Sequence, residues 1–178
     1  MLAAPSFGAC SLNFSTLVGQ EAMATNGATS AAVWPQASAA VYIPFQVIIP
    51  WKVNSFAFRV NTQSGNCDVG IFDEGGTCLV AKGATVVGAA GLQVVDLSAS
   101  VSRGTAGVQL GVGTYYMAMS VDNITASVFR IANVQVPVLR ACGLRQQTSA
   151  YPLPATATFA TLGNNYCPNV ICGPNPIV

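Results

Sequence analysis

The stretch that decides the fold reads Asn66-Cys-Asp-Val-Gly-Ile-Phe-Asp73-Glu-Gly-Gly-Thr-Cys-Leu-Val80. Its first eight residues alternate, with Cys67, Val69 and Ile71 on one side, which is the two-residue period of a β-strand. Asp73-Glu-Gly-Gly76 follows as a turn, because glycine adopts the positive φ angles that hairpin turns need. We therefore predict a β-hairpin whose return strand covers residues 78–85.

Similar short runs, rich in β-branched and aromatic residues and separated by Gly, Pro, Asn and Asp, fill the rest of the chain. Pro44 indicates an edge strand or a bulge in the first of them. The one helix signal, a weak one, lies at residues 19–25. The pattern predicts an all-β fold, a single antiparallel β-sandwich (jelly-roll-like, or immunoglobulin-like) with extended N- and C-terminal arms, and leaves a closed barrel open. Besides the hairpin, the predicted strands are 39–49, 51–60, 92–97, 114–121 and 124–136.

Charged residues are scarce, at 7% of 178 residues with a mean hydropathy of +0.51, against about 25% in ordinary soluble proteins. An isolated globule needs a polar surface, so the composition predicts that partners cover much of this one. No stretch has the roughly 18 densely apolar residues of a membrane-spanning helix. The net charge of +1 includes no basic patch, so we expect neither a membrane nor nucleic acid as a partner.

The charges are also unevenly placed, since 12 of the 13 lie between Lys52 and Arg145 and the exception is Glu21. We divide the chain into an N-terminal arm (1–38), a β-sandwich body (39–145) and a C-terminal arm or closing strands (146–178). Neutral, aromatic arms are expected to pack, either onto the body or onto neighbouring subunits. The candidates for assembly contacts are Trp34, Tyr42, Phe45, Trp51, Tyr151, Phe159 and Tyr166. The first residues lack the basic and apolar regions of a secretory signal.

Catalytic chemistry is limited by the absence of histidine, which excludes Ser-His-Asp and Cys-His catalysis. Two carboxylates could still hydrolyse a glycoside if Asp68 and Asp96 met across a sheet. A calcium site could use Asp73, Glu74 and Asp122. Outward-facing strand positions and turn capping explain these acids equally well. We therefore predict a non-enzymatic protein with no catalytic residues, no cofactor and no metal.

The six cysteines are expected to be free thiols in a reducing cytosol. A cross-strand disulfide between Cys67 and Cys78 is not expected, because the hairpin register separates them by roughly 13 Å, beyond the ~7 Å limit between Cα atoms. Cys167 and Cys172 could close a small loop or supply two metal ligands, although zinc normally takes four.

Three segments form an ordered series that resembles a known family: Val41-Tyr-Ile-Pro-Phe45, the hairpin above, and Gly113-Thr-Tyr-Tyr-Met-Ala-Met119. Together with Gln146-Gln-Thr-Ser-Ala-Tyr-Pro-Leu-Pro154 they are similar to small tailed-bacteriophage virion structural proteins with a β-sandwich body. The resemblance covers about residues 33–160. The cysteines of the hairpin and of the C-terminal segment depart from the family pattern.

This resemblance implies a capsid decoration (cement) protein, a head fibre or a tail fibre, with no catalytic residues to carry over. The expected location is the virion, assembled in the host bacterial cytoplasm, and the expected partners are the major capsid protein or tail and fibre proteins. We expect a homo-oligomer, most plausibly a homotrimer, whose arms reach across neighbours. We also predict that removing residues 1–30 weakens assembly more than it destabilises the sandwich. The alternative is a receptor- or glycan-binding module that uses exposed aromatic residues such as Trp34 or Trp51.

Overall fold

The computed structural model describes residues 29–132 and 134–174. This part of the chain is almost entirely β-structure, with one short helix. In chain order its elements are β1 (Thr29–Val33), β2 (Ala40–Val47), β3 (Trp51–Lys52), β4 (Ser55–Thr62), β5 (Asn66–Asp73), β6 (Cys78–Ala81), β7 (Thr85–Val86), β8 (Gly91–Asp96), β9 (Arg103–Gly104), β10 (Gln109–Leu110), β11 (Gly113–Val121), β12 (Ser127–Ile131), α1 (Val136–Ala141), β13 (Arg145–Gln147), β14 (Ala160–Thr161) and β15 (Val170–Gly173).

Two antiparallel sheets pack together, which confirms the predicted all-β sandwich. The eight-stranded sheet has the order β14-β13-β2-β11-β5-β6-β9, and β7 also pairs with β5. The five-stranded sheet has the order β1-β12-β4-β15, and β8 also pairs with β4. A short ribbon of β3 and β10 leaves one end of the sandwich.

The main hydrophobic core lies between the two sheets. Alternate residues of β2, β5 and β11 meet alternate residues of β4, as the two-residue period requires. Phe56 and Phe58 of β4 are fully buried there, opposite Met117 and Met119 of β11. Burying each such side chain contributes about 1.5–3 kcal/mol to folding before chain entropy is counted.

A second core lies on the other face of the eight-stranded sheet. Residues 150–159, here called the strap, cross this face and bury it. Leu153 and Phe159 of the strap pack against Tyr42, Phe72 and Tyr116, and the Tyr42 ring meets the Phe159 ring edge-on at 5.0 Å. Much of the C-terminal arm therefore packs on its own subunit, and β15 completes the five-stranded sheet.

The predicted hairpin is present as β5 and β6. Asp73 forms the turn, since its backbone N–H donates to Thr77 O at 3.0 Å and its side chain accepts from the Thr77 N–H at 2.7 Å. Cys78 pairs with Phe72, whereas Cys67 pairs with Thr85, so the two cysteines are far apart along β5, as predicted. The return strand stops at Ala81, because Gly83 turns the chain at a φ of +89°.

Two further predicted strands differ from the structure. The predicted strand 124–136 is wrong at its end, where only Ser127–Ile131 is extended and a helix begins at Val136. Pro137 lies in the first turn of α1, where proline fits because its missing N–H would have no partner. The predicted strand 51–60 is divided into β3 and β4.

Pro44 does lie at an edge, since β13 pairs only with residues 40–42 of β2. The predicted helix at 19–25 lies outside the described residues.

Candidate assembly surface

The most exposed apolar residues form a corner where the β3–β10 ribbon leaves the sandwich. Val47 pairs with Gly113 and Trp51 pairs with Leu110. The loops between these pairs, residues 48–50 and 111–112, therefore lie opposite each other. Ile48, Ile49 and Val112 are 76%, 72% and 70% exposed. Together with exposed Pro50 they form what we call the apolar corner.

Aromatic rings of the strands next to the apolar corner pack against one another. Buried Phe45 lies 6.4 Å from the Trp51 ring and 5.9 Å from the Tyr115 ring, measured between ring centroids. The Tyr115 hydroxyl donates to Gly111 O at 3.2 Å, which ties the second loop of the corner to β11. The two loops of the corner are thus joined to strands whose aromatic rings pack against one another.

The corner offers apolar contact and little hydrogen-bonding chemistry. Its side chains are Ile, Ile, Pro and Val, and its nearest cation along the chain is exposed Lys52. Covering one large aliphatic side chain is worth about 1.5–3 kcal/mol. A partner that covers all three large side chains would therefore gain several kcal/mol, which suits a protein contact.

Four of the seven predicted contact residues lie inside the subunit. Trp34, Tyr42, Phe45 and Tyr166 are at most 4% exposed, which leaves their side chains no surface for a neighbour. Trp34 Nε1 donates to Ala39 O at 2.9 Å, and the Tyr166 hydroxyl donates to Ala32 O at 2.9 Å. Both are core residues with satisfied polar atoms. Trp51, Tyr151 and Phe159 are partly exposed, and for them the prediction stays a prediction.

Sequence reasoning missed Ile48, Ile49 and Val112. A signal was present in Val47-Ile48-Ile49-Pro50, because consecutive aliphatic residues break the alternation at the end of a strand. With Val47 facing the core, at least one of the isoleucines that follow must face outwards.

The carboxylates Asp68 and Asp96 are not brought together. Asp68 lies on the outer face of the eight-stranded sheet, since its neighbours Cys67 and Val69 face the core. Asp96 pairs with Ser55 on the outer face of the five-stranded sheet. The two acids are therefore on opposite sides of the sandwich, so the carboxylate pair considered above is not formed.

Asp68 instead holds the strap in place by a hydrogen bond to Leu153. It is fully buried, and its carboxylate accepts the backbone N–H groups of Gly83 at 2.8 Å and of Leu153 at 2.9 Å. Arg103 Nε donates to Leu153 O at 2.9 Å. Burial raises the pKa of Asp68 despite the opposing backbone hydrogen bonds and the positive charge of Arg103.

The three acids considered as calcium ligands are also not brought together. Asp73 pairs with Tyr115 near one end of β11, whereas Asp122 follows the other end. Asp122 accepts from the backbone N–H and the side-chain amide of Asn66, both at 3.0 Å. In the described ranges no three His, Cys, Asp or Glu side chains cluster as metal ligands would.

Four cysteines of the described ranges are free thiols, namely Cys67, Cys78, Cys167 and Cys172. Burial raises the pKa of Cys67 and of Cys167 to about 12. These two thiols belong to the main core, where cysteine behaves as a small hydrophobic residue.

The chain matches no protein-family model, no curated protein and no solved structure. Within the described ranges, no helix is both long enough and apolar enough to cross a membrane.

Proposed function

We propose that the protein is a non-enzymatic structural subunit of a bacteriophage particle, a capsid decoration (cement) or fibre subunit that stabilises the virion through contacts between subunits. The observation that carries the proposal is the apolar corner. An exposed group of large aliphatic side chains is typical of a surface that a partner covers. The strap packs on its own subunit, so the corner takes the role in assembly that was predicted for the C-terminal arm.

The overall charge supports the same interpretation. Seven basic and six acidic residues among 178 leave a surface with few charges to keep separate copies apart. Burial of apolar area at about 25 cal/mol per Å² then drives association, reduced by the entropy of binding.

The phage attribution rests on the sequence resemblance. Its three segments fall on β2, on the β5–β6 hairpin and on β11. In the structure these strands are neighbours, in the order β2-β11-β5-β6. The motifs therefore form one continuous part of the eight-stranded sheet, as expected if they describe a common body.

The test combines Ile49→Asp with Val112→Asp and measures binding of the purified subunit to phage particles that lack it, by co-sedimentation and imaging. We expect affinity to fall at least roughly tenfold, because two charges would be buried without partners. Ile124→Asp is the matched control, since Ile124 is 58% exposed and lies beyond the other end of β11. Equal binding by the corner variant and the wild type would contradict the proposal.

A second candidate function is glycan recognition by a fibre. It is favoured by Trp51, a half-buried ring beside the apolar corner, because sugars stack on exposed aromatic faces. The predicted residue Trp34 is buried and cannot serve. Binding on a glycan array that is lost with Trp51→Ala would support this function, and absence of any glycan binding would remove it.

A further inference from the structure

Strand β8 (Gly91–Asp96) forms one edge of the five-stranded sheet, where it pairs with β4. Because Val95 faces the main core, Leu92 and Val94 face outwards, and they are 49% and 38% exposed. A side chain placed at Gly91 would meet no atom within 4 Å. In the described ranges, no backbone hydrogen bond joins the other side of β8 to a further segment. That side is therefore a free edge.

The strand lacks the features by which proteins usually keep an edge strand from pairing, which are lysine, proline and the β-bulge. Residues 91–96 read Gly-Leu-Gln-Val-Val-Asp, and their register with β4 runs without a shift. The one charge is Asp96 at the end of the strand, whose carboxylate accepts from the backbone N–H and the hydroxyl of Ser98 at 2.7 and 2.6 Å. A regular, mainly apolar edge of this kind is a template for another strand.

The hydrogen bonds between β8 and β4 show which backbone groups face the free edge. The Leu97 N–H donates to Asn54 O at 2.8 Å, directly beyond the end of the ladder between the two strands. Bonded and non-bonded pairs alternate along an antiparallel ladder, so the odd-numbered residues of β8 bond to β4. The N–H and C=O groups of the even-numbered residues Leu92 and Val94 therefore point to the free edge.

We propose that β8 pairs with β8 of a second copy of this chain, antiparallel and about a two-fold axis at Gln93. Opposite residues of an antiparallel ladder lie on the same face of the sheet, so the axis must pass through a residue. An axis at Gln93 places Leu92 opposite Val94 of the second copy, and the symmetry repeats this pair. Both residues direct their backbone groups to the free edge, so they exchange N–H···O bonds in both directions.

The alternative axis, at Val94, fits less well. It would place Leu92 opposite Asp96 of the second copy, an apolar side chain against a carboxylate. With the axis at Gln93, Leu92 and Val94 of the two copies cover each other, and such aliphatic pairs stabilise an antiparallel sheet. Asp96 then lies opposite Ala90, so the two carboxylates do not meet.

Two observations favour a second copy as the occupant. The free edge is complementary to itself, both in its exposed side chains and in the order of its bonded and non-bonded positions. The chain also has a net charge of +1, so two copies approach with little repulsion. A pair of strands is a small contact beside the roughly 1,200 Å² of a standard stable interface, so we expect a dissociation constant on the order of 10 µM.

The test is sedimentation equilibrium of the full-length chain at about 1–300 µM, a range that brackets this dissociation constant. We expect the wild type to dimerise and Val94→Lys to weaken dimerisation at least roughly tenfold, because each lysine would lie against Leu92 of the other copy. Val138→Lys is the matched control, since Val138 is 52% exposed on α1, outside the five-stranded sheet. It should dimerise as the wild type does.

A cysteine at the axis tests the register. The Cα atoms of a non-bonded antiparallel pair lie about 4.5 Å apart, within the range of a disulfide. Gln93→Cys should therefore give a covalent dimer with diamide, detected by non-reducing electrophoresis against the wild-type background. Val94→Cys is its matched control, because the two Val94 positions are then about 8 Å apart, beyond the ~7 Å limit, and it should not cross-link above that background.

A wild type that stays monomeric up to about 300 µM would overturn the proposal, as would a dimer that Val94→Lys leaves unchanged. Cross-linking of Val94→Cys without cross-linking of Gln93→Cys would exclude the axis at Gln93. The inference does not depend on the proposed function, because β8 is distinct from the apolar corner. The variant with Ile49→Asp and Val112→Asp should dimerise normally, so loss of particle binding in that variant with the dimer retained concerns the apolar corner alone.

Discussion

At the scale of single residues, Asp68 makes stability depend on pH in an unusual direction. Burial raises its pKa in the folded chain above the unfolded value of about 3.9. Protonation of Asp68 therefore favours the folded state. Its contribution to stability is complete below the unfolded pKa and is lost as pH rises through the folded pKa. We expect the free energy of unfolding of the wild type, relative to Asp68→Asn, to increase when the pH is lowered from 7 to 4 in urea titrations.

Asp96→Asn is the control for the direction in which the free energy of unfolding changes with pH. Hydrogen bonds from Ser98 lower the pKa of this exposed carboxyl, so its contribution is present above the unfolded pKa and is lost as the pH falls through the folded value. Asp96→Asn should therefore give a relative change of the opposite direction. A difference between the wild type and Asp68→Asn that does not vary with pH would contradict the role of burial.

The buried thiols give a second prediction at this scale. With a pKa of about 12, Cys67 and Cys167 are ionised to only about one part in 10⁴ at pH 8, against roughly a quarter for an ordinary thiol. We expect iodoacetamide to modify them at least about 100-fold more slowly in the native protein than in urea, measured by peptide mass spectrometry. Modification of Cys67 at the unfolded rate would show that the core opens around it.

At the scale of elements, the contribution of the strap to the stability of the folded body can be tested directly. Leu153 is fully buried in the second core, so Leu153→Ala should lower the free energy of unfolding by about 2–5 kcal/mol. Thr158→Ala, an exposed change in the same segment, should alter it by less than about 0.5 kcal/mol. Equal effects of the two substitutions in urea denaturation would mean that the strap does not contribute to the folded body.

Local alternation was sufficient to predict the central strands. In β5, residues Cys67, Val69 and Ile71 face the core as the pattern requires, and the glycine-rich turn fixed the hairpin. The strap was not predictable in this way, because Tyr151-Pro-Leu-Pro154 has neither a helical nor a strand period. Its position depends on the contacts of Leu153 with Asp68 of β5 and of Phe159 with Tyr42 of β2, which are 85 and 117 residues apart in sequence. Helix α1 was missed because Val136 favours strands and Pro137 usually breaks helices, yet both fit a first turn.

At the scale of the whole molecule, composition predicts partners but gives no position for a contact. A low charge content predicts that partners cover part of the surface, whereas the position of the apolar corner follows from the register of β2 with β11 and of β3 with β10. Aromatic content was a poor guide to exposed position, since Trp34, Tyr42, Phe45 and Tyr166 are buried in the two cores. With two cores to fill, the large aromatic residues lie inside, and Ile48, Ile49 and Val112 are the aliphatic residues that stay exposed at the apolar corner.

This distribution predicts how association of the subunits responds to solution conditions. Because the apolar corner lacks charged side chains, self-association or particle binding should change by less than roughly threefold between 50 and 500 mM NaCl, where contacts between exposed charges are screened. Sulfate, which strengthens apolar burial, should increase the affinity. Calorimetry should show a negative heat-capacity change on binding. A steep fall of affinity with NaCl, measured by sedimentation, would instead assign the contact to the charged residues of the body and exclude the apolar corner as its centre.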